Sequence, residues 1–193
     1  APEALAAIPR LGLNDLDRRN KPIPLAVIEL EGRPILYHDL FTNGIVYLDL
    51  GFDLSVVPQE LLPYVPLFGR ALLEMGTEKE DYVRFLQRIG RYTGGIRSSS
   101  FVSMVHNTPQ STTWLMLRGK ATLEQTPEVV AILRDALLTV RLYKTERFRQ
   151  MALEEKADTE SALVPAGHRV VNLRLRSFFN PADWLDEQMY GIS

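Results

Sequence analysis

The chain has 193 residues and no cysteine, which excludes a disulfide framework, a thiolate zinc site, an iron–sulfur cluster and a cysteine nucleophile. Apolar residues make up 46% and charged residues 24%, the composition of a globular domain and not of a disordered or fibrous chain. A formal charge of −2, from 22 basic and 24 acidic residues, gives no basis for nucleic acid or an anionic membrane as partner.

Residues 1–22 read as a lead-in rich in turn formers and charge. Three strand-like runs follow, Leu25 to Leu30, Ile35 to Leu40 and Ile45 to Leu50, separated by Gly32 and by Asn43-Gly44. Asn-Gly is the favoured two-residue hairpin turn because both central positions need φ > 0, so a three-stranded antiparallel meander is expected. The pattern then turns helical. Tyr64, Val65, Phe68, Ala71, Leu72 and Met75 fall on one face of a 3.6-residue period. Pro63 and Pro66 set its start, and Gly76 ends it with a residue that enters the left-handed region freely. Thr77 and Glu80 have the spacing of a capping box for a next helix, with Tyr82, Phe85, Leu86 and Ile89 as its buried stripe.

Thr93-Gly94-Gly95 returns the chain to extended structure. Phe101 to Val105 and Thr113 to Arg118 are expected strands joined across residues 107–110, with Ala121 to Leu123 either continuing the second or forming a short strand of its own. Thr126-Pro127 opens a helix as cap and first residue, with Val130, Leu133, Ala136, Leu137 and Val140 on one side. Thr145 caps another that runs through Met151 and Glu155 towards Leu163. Residues 168–178 fit either a strand or a helix. Asn180-Pro181 starts a last helix carrying Trp184, Leu185 and Met189. Runs of one element type, without strict alternation, predict an α+β fold: a largely antiparallel sheet with helices packed on one face. No repeat or linker divides the chain, so one domain over residues 1–193 is expected.

No run approaches the roughly 18–20 apolar residues of a membrane span, and the first 22 residues lack the pattern of a signal peptide. A start at Ala1 without Met, and an end just after a helix-like segment, favour a piece of a longer polypeptide over ordinary processing and a natural stop. The compartment is open, with the cytoplasm expected if the chain is bacterial.

Candidate chemistry is sparse. The three histidines, His38, His106 and His168, have no helical metal-ligand spacing, and His38 and Asp39 are adjacent strand residues that point to opposite faces. No metal site is expected from residue types. Ser98-Ser99-Ser100 lacks a nucleophile elbow and reads as a polar strand entrance. Thr93-Gly94-Gly95 matches no phosphate-binding loop and reads as a tight turn. The carboxylates Glu78, Glu80 and Asp81 suit a helix N-terminus. Those at Glu154, Glu155, Asp158 and Glu160, near Arg149 and Lys156, read as a solvated face with i,i+4 partners. Arg169, Arg174 and Arg176 have no interleaved aromatics and make no nucleic-acid site.

The segments LFTNGIVYLDLGFDLS, LLPYVPLFGRALLEMGTEKEDYVRF, RYTGGI, ERFRQMALEEKADTES and PAGHRVVNLRLRSFFNPADW together resemble the third domain of presequence-protease-type enzymes. These belong to the pitrilysin/insulinase group of zinc metallopeptidases, the inverzincins. The resemblance runs from Ile8 to Ser193. It implies the fold of the pitrilysin and mitochondrial-processing-peptidase-like metallohydrolase domain, as one of four such domains in a longer chain. In the catalytic domain of such enzymes, H-x-x-E-H on a helix supplies two zinc ligands and a glutamate base. Counted back from the turn matching Gly76-Thr77, those three positions fall here on Leu67, Arg70 and Ala71. Leu67 and Ala71 have no ligand atoms, and Arg70 is a permanent cation in place of the base. MALEEKADTE resembles the helix of the third ligand, with Glu155 at the matching position and Glu154 as the neighbouring alternative. The resemblance thus implies a domain with no catalytic residue, no metal and no cofactor of its own, zinc being held in the parent's catalytic domain. Its expected role is structural: helping to form a closed chamber for unfolded peptides, in contact with other domains of the same chain. A stand-alone scaffold or binding module with a degenerate peptidase fold is the alternative. A metallopeptidase complete in this chain would need ligands the sequence does not offer.

Overall fold

The computed structural model describes residues 11–19 and 21–192, so most of the expected lead-in lies outside the described residues. The chain divides into two compact units, Ala1–Thr42 and Asn43–Ser193.

In the first unit, β1 (Ala26–Leu30) pairs antiparallel with β2 (Arg33–Tyr37). Glu31 and Gly32 form the turn with φ of 50° and 73°, the left-handed pair that matches the twist of a two-residue hairpin. Every residue of both strands is exposed.

The second unit is α+β, as the order of elements predicts. Its strands are β3 (Ile45–Asp53), β4 (Ile96–Met104) and β5 (Ser111–Thr122), in an antiparallel sheet of order β3-β5-β4. Two helices, α1 (Val65–Glu74) and α2 (Tyr82–Tyr92), lie between β3 and β4 in sequence, and α3 (Thr126–Leu138), α4 (Thr145–Arg176) and α5 (Pro181–Tyr190) follow β5. The period-2 alternation of β5 buries Thr113, Leu115, Leu117 and Ala121 on one face. Against that face pack Val65 and Leu72 of α1, Val129 and Leu133 of α3, and Met189 of α5. Phe85 and Ile89 join α2 to Leu73, Ile132 and Ala136 in a second cluster. Met151, fully buried, fixes the first half of α4 against Ala71 and Met75.

The expected meander is corrected. β3 does not pair with β2; Leu48 and Leu50 stand opposite Gly119 and Leu117 of β5, the pairing that buries their apolar face. Asn43 and Gly44 do adopt φ of 53° and 76°, but Gly44 accepts a hydrogen bond from the Leu123 N–H at 3.1 Å. The capping box at Thr77 and Glu80 is also corrected. Thr77 bridges Val140 and closes a turn on Glu80 with reciprocal bonds of 2.8 and 3.2 Å, so the helix starts later. Asp81 caps α2 instead, accepting from the Arg84 N–H at 2.9 Å. The α3 stripe is rotated: Val129, Ile132, Leu133 and Ala136 are buried and Val130 is exposed. Gln125, not Thr126, flanks its start, and Thr145 is likewise the first residue of α4 rather than its cap. Residues 168–176 are helical, the second half of α4 beyond a kink at Ala166 where Pro165 interrupts the backbone ladder. Asn180 caps α5 as expected, accepting from the Asp183 N–H.

Gly76 has φ of +76°, and a Cβ there would lie 2.7 Å from the Tyr82 nitrogen, so glycine is required at the end of α1. No described helix is long and apolar enough to cross a membrane.

Candidate functional site

Four residues singled out by the sequence meet where α1 crosses the first half of α4. Leu67, Arg70 and Ala71 lie on α1, and Glu155 on α4. Leu67 packs half-buried against the Ala71, Met75 and Met151 cluster, and Ala71 is fully buried there. These two positions are therefore part of an apolar contact between helices.

Arg70 points the other way, into a group of carboxylates. Its Nη1 donates to Glu155 Oε2 at 2.7 Å, across 85 positions of sequence. Nε and Nη2 form a bidentate pair with Glu74 at 3.1 and 3.0 Å, and Nη2 also lies 3.4 Å from Glu154. Arg147, at the start of α4, completes the network. It donates to the Glu74 carbonyl at 3.1 Å, lies 3.4 Å from the Glu74 carboxylate and 3.5 Å from Glu154. Its guanidinium also stacks 4.4 Å from the centroid of the Tyr82 ring. The hydrogen bonds to Glu74 raise the Arg70 pKa above its ordinary value, partial burial opposes this, and Glu155 adds to the rise. Two guanidinium groups thus face three carboxylates, leaving one net negative charge.

The expected reading of Glu154 and Glu155 as a solvated face with partners on their own helix is corrected. They serve Arg70 and Arg147. Further along, Lys156 and Glu160 do form an i,i+4 pair, at 3.7 Å. The Arg70–Glu74 spacing of four was legible as a helix pair. Arg147 carried no local signal, because only the crossing of α1 and α4 brings it to Glu74.

A second polar cluster ties α2 to α3. Arg88 Nη1 donates to Glu80 at 2.9 Å and to Asp135 at 2.8 Å, and Lys79 lies 3.5 Å from Asp135. Asp135 is 8% exposed. The Arg88 hydrogen bond holds its carboxyl below the usual carboxylate range, against burial, with Lys79 assisting.

The residues at the family's metal positions do not fit zinc. Leucine and alanine offer no ligand atoms, and the Arg70 cation occupies the space between the carboxylates. Among the described residues no group of three His, Asp or Glu side chains can hold a metal ion. His38 lies in the first unit, where Nδ1 donates to the Pro24 carbonyl at 2.8 Å; His106 sits in the β4–β5 turn and His168 on α4. The Thr93 hydroxyl donates to the Ile89 carbonyl and accepts from the Gly95 N–H, a helix-to-strand turn as expected.

Beside Arg70 a cavity of about 210 Å³ opens between α1, α4, α5 and β4, lined by Pro66, Ser98, Leu115, Glu155 and Tyr190 among others.

Comparison with known proteins gives a consistent picture. The domain family described as associated with peptidases of group 16C, in the metallopeptidase (M) class, matches residues 1–193. Presequence protease 1, chloroplastic/mitochondrial, of Arabidopsis thaliana is 36% identical over 192 residues, covering 100% of this chain and 18% of that protein. Protein HypA of Clostridium perfringens is 30% identical, covering 98% of this chain and 20% of its own length. The mitochondrial presequence protease of Schizosaccharomyces pombe is 23% identical over the whole chain and 19% of its own length. The chain therefore spans about a fifth of the length of the curated relatives it matches.

Proposed function

The chain belongs to this peptidase-associated family, and on that premise we propose that it is a non-catalytic domain of a zinc-dependent metalloendopeptidase. In that role it is the third of four related domains and forms part of the wall that encloses unfolded peptide substrates. The parent holds its zinc elsewhere, in a catalytic domain carrying H-x-x-E-H.

The observation that carries this reading is the Arg70–Glu155 ion pair. Where the resemblance expects a glutamate base and a third metal ligand, a guanidinium and a carboxylate bind each other. A carboxylate engaged at 2.7 Å by a permanent cation is neither free to ligate a metal nor basic enough to activate water. The apolar environment of Leu67 and Ala71 supports the same conclusion, since both serve the packing of α1 on α4. The small share of its relatives that the chain covers supports contact with other domains of one polypeptide.

The purified chain is expected to lose added zinc on dialysis and to cleave no peptide. Metal retained in equal molar amount after dialysis overturns the reading. So does peptide hydrolysis that a chelator inhibits and that H38A or H168A abolishes. The alternative of a stand-alone binding module is tested by the genomic reading frame: an H-x-x-E-H motif several hundred residues upstream in the same frame decides for the protease.

A further inference from the structure

We infer that the open edge of β4 is a docking site for an extended peptide with a basic side chain, bound by strand addition. This rests on the reading of the domain as part of a peptide-enclosing wall, and names the contact by which that wall holds substrate.

The sheet order leaves β4 at an edge. The Ser100 N–H donates to the Tyr190 hydroxyl at 3.3 Å, so the main chain of Ser100 faces away from β5. In an antiparallel ladder both polar groups of a residue point the same way and alternate along the strand. Ser98 and Val102 therefore present their N–H and C=O groups outward with Ser100. The pairing of β5 agrees, because Thr113 accepts from the Leu54 N–H on the β3 side and Lys120 accepts from the Gly94 N–H on the β4 side. Among the described residues, the long Tyr190 contact is the one bond given to this outward row, on a stretch of three small serines. An unpaired row of this kind is a template for another strand.

The cavity beside Arg70 lies on the helix side of this edge and includes Ser98 and Ser100 in its lining. Side chains of an added strand alternate, so every second one projects towards it. The cavity is bounded by Pro66 and Leu115, which suit an aliphatic stem, and by the Glu155 carboxylate, about half exposed. The surrounding network has one negative charge in excess, which selects a lysine or arginine head over an acidic one. The occupant is thus an extended segment of peptide substrate, bonded through its backbone to Ser98 and Val102 and anchored by one cation at Glu155.

The test is fluorescence anisotropy with a short fluorescein-labelled peptide rich in Thr and Val and carrying one central lysine. Saturable binding is expected, weakened about tenfold when the lysine is replaced by norleucine or when E155Q is used. S98P removes an outward donor at an edge position where proline is tolerated, and should weaken binding by a similar factor. Should S98P not fold, N-methylation of alternate peptide nitrogens removes the same class of bond from the other side and should do likewise. Absence of saturable binding, or an affinity indifferent to both N-methylation and the lysine, overturns the inference. So does strong amide-exchange protection of Ser98 and Val102 in the whole parent without peptide, since another strand of the parent would then occupy the edge. These results leave the non-catalytic reading standing, whereas retained zinc in the chain overturns that reading and not the edge contact.

Discussion

Arg70 Nη1 and Glu155 Oε2 lie 2.7 Å apart, joining α1 to α4 across 85 positions of sequence. The same guanidinium binds Glu74 bidentately, so one side chain organises carboxylates from two helices. Beneath it the contact is wholly apolar, through Ala71, Met75 and Met151. The helix crossing therefore has a packed floor and an ionic rim.

Truncating Arg70 should show how much that rim contributes. The Arg70 and Glu155 side chains are 27% and 48% exposed, so solvent screens the pair. R70M is expected to cost about 1–2 kcal/mol, more than a single surface pair because three carboxylates lose a shared cation. Urea denaturation measures it. The double variant R70M/E155Q should lose less than the sum of its parts, and strict additivity would show that the two residues do not interact energetically.

Asp135 sets a different test, through pH. Its carboxyl is held below the ordinary range chiefly by Arg88. The stabilisation is therefore complete above the unfolded carboxyl pKa of about 3.9 and is lost as pH falls through the lower folded value. Denaturation curves from pH 7 to pH 3 should show this loss in the native chain and less of it in D135N. At pH 7, D135A should cost about 3 kcal/mol, because it leaves the partly buried Arg88 without its nearest carboxylate on α3.

Asp186 behaves with the opposite sign. Burial pushes its carboxyl up and Asp183 adds to this, while Arg176 opposes them. Folding then favours the protonated form, so ionised Asp186 weakens the fold above its folded pKa and the penalty fades on acidification. D186N should raise the melting temperature at pH 7 and bring no gain at acid pH. A lower melting temperature at pH 7 would contradict the assignment.

Met151 is the one fully buried residue of the described part of α4. M151A should cost about 2–4 kcal/mol through lost contact and a residual cavity. Hydrogen exchange should show the loss concentrated in the first half of α4 and the facing surface of α1. A loss spread evenly over the sheet would mean that this residue does not anchor the helix.

The α+β class, the extent of α1, the turn at Gly76 and the cap at Asn180 were all written in local sequence. Each depends on neighbours within about four positions: a helical period, a residue free to take positive φ, an Asn before Pro. The absence of ligand atoms at Leu67, Arg70 and Ala71 was legible too, because side-chain chemistry needs no coordinates. The partner of β3 was not. An Asn-Gly turn specifies a reversal of the chain, but β5, nearly 70 positions away, offers the matching apolar face, and burial decided the pairing. Thr77 was lost to its cap by a bridge to Val140 for a similar reason. The assignment of Glu154 and Glu155 was likewise beyond the sequence. On one helix they are solvated acids, and only the crossing of α1 and α4 gives them cations. Composition already excluded cysteine chemistry and left three histidines; tertiary structure decided that the remaining charges pair with one another, because opposite charges brought together at partly buried helix crossings are stabilised by mutual contact.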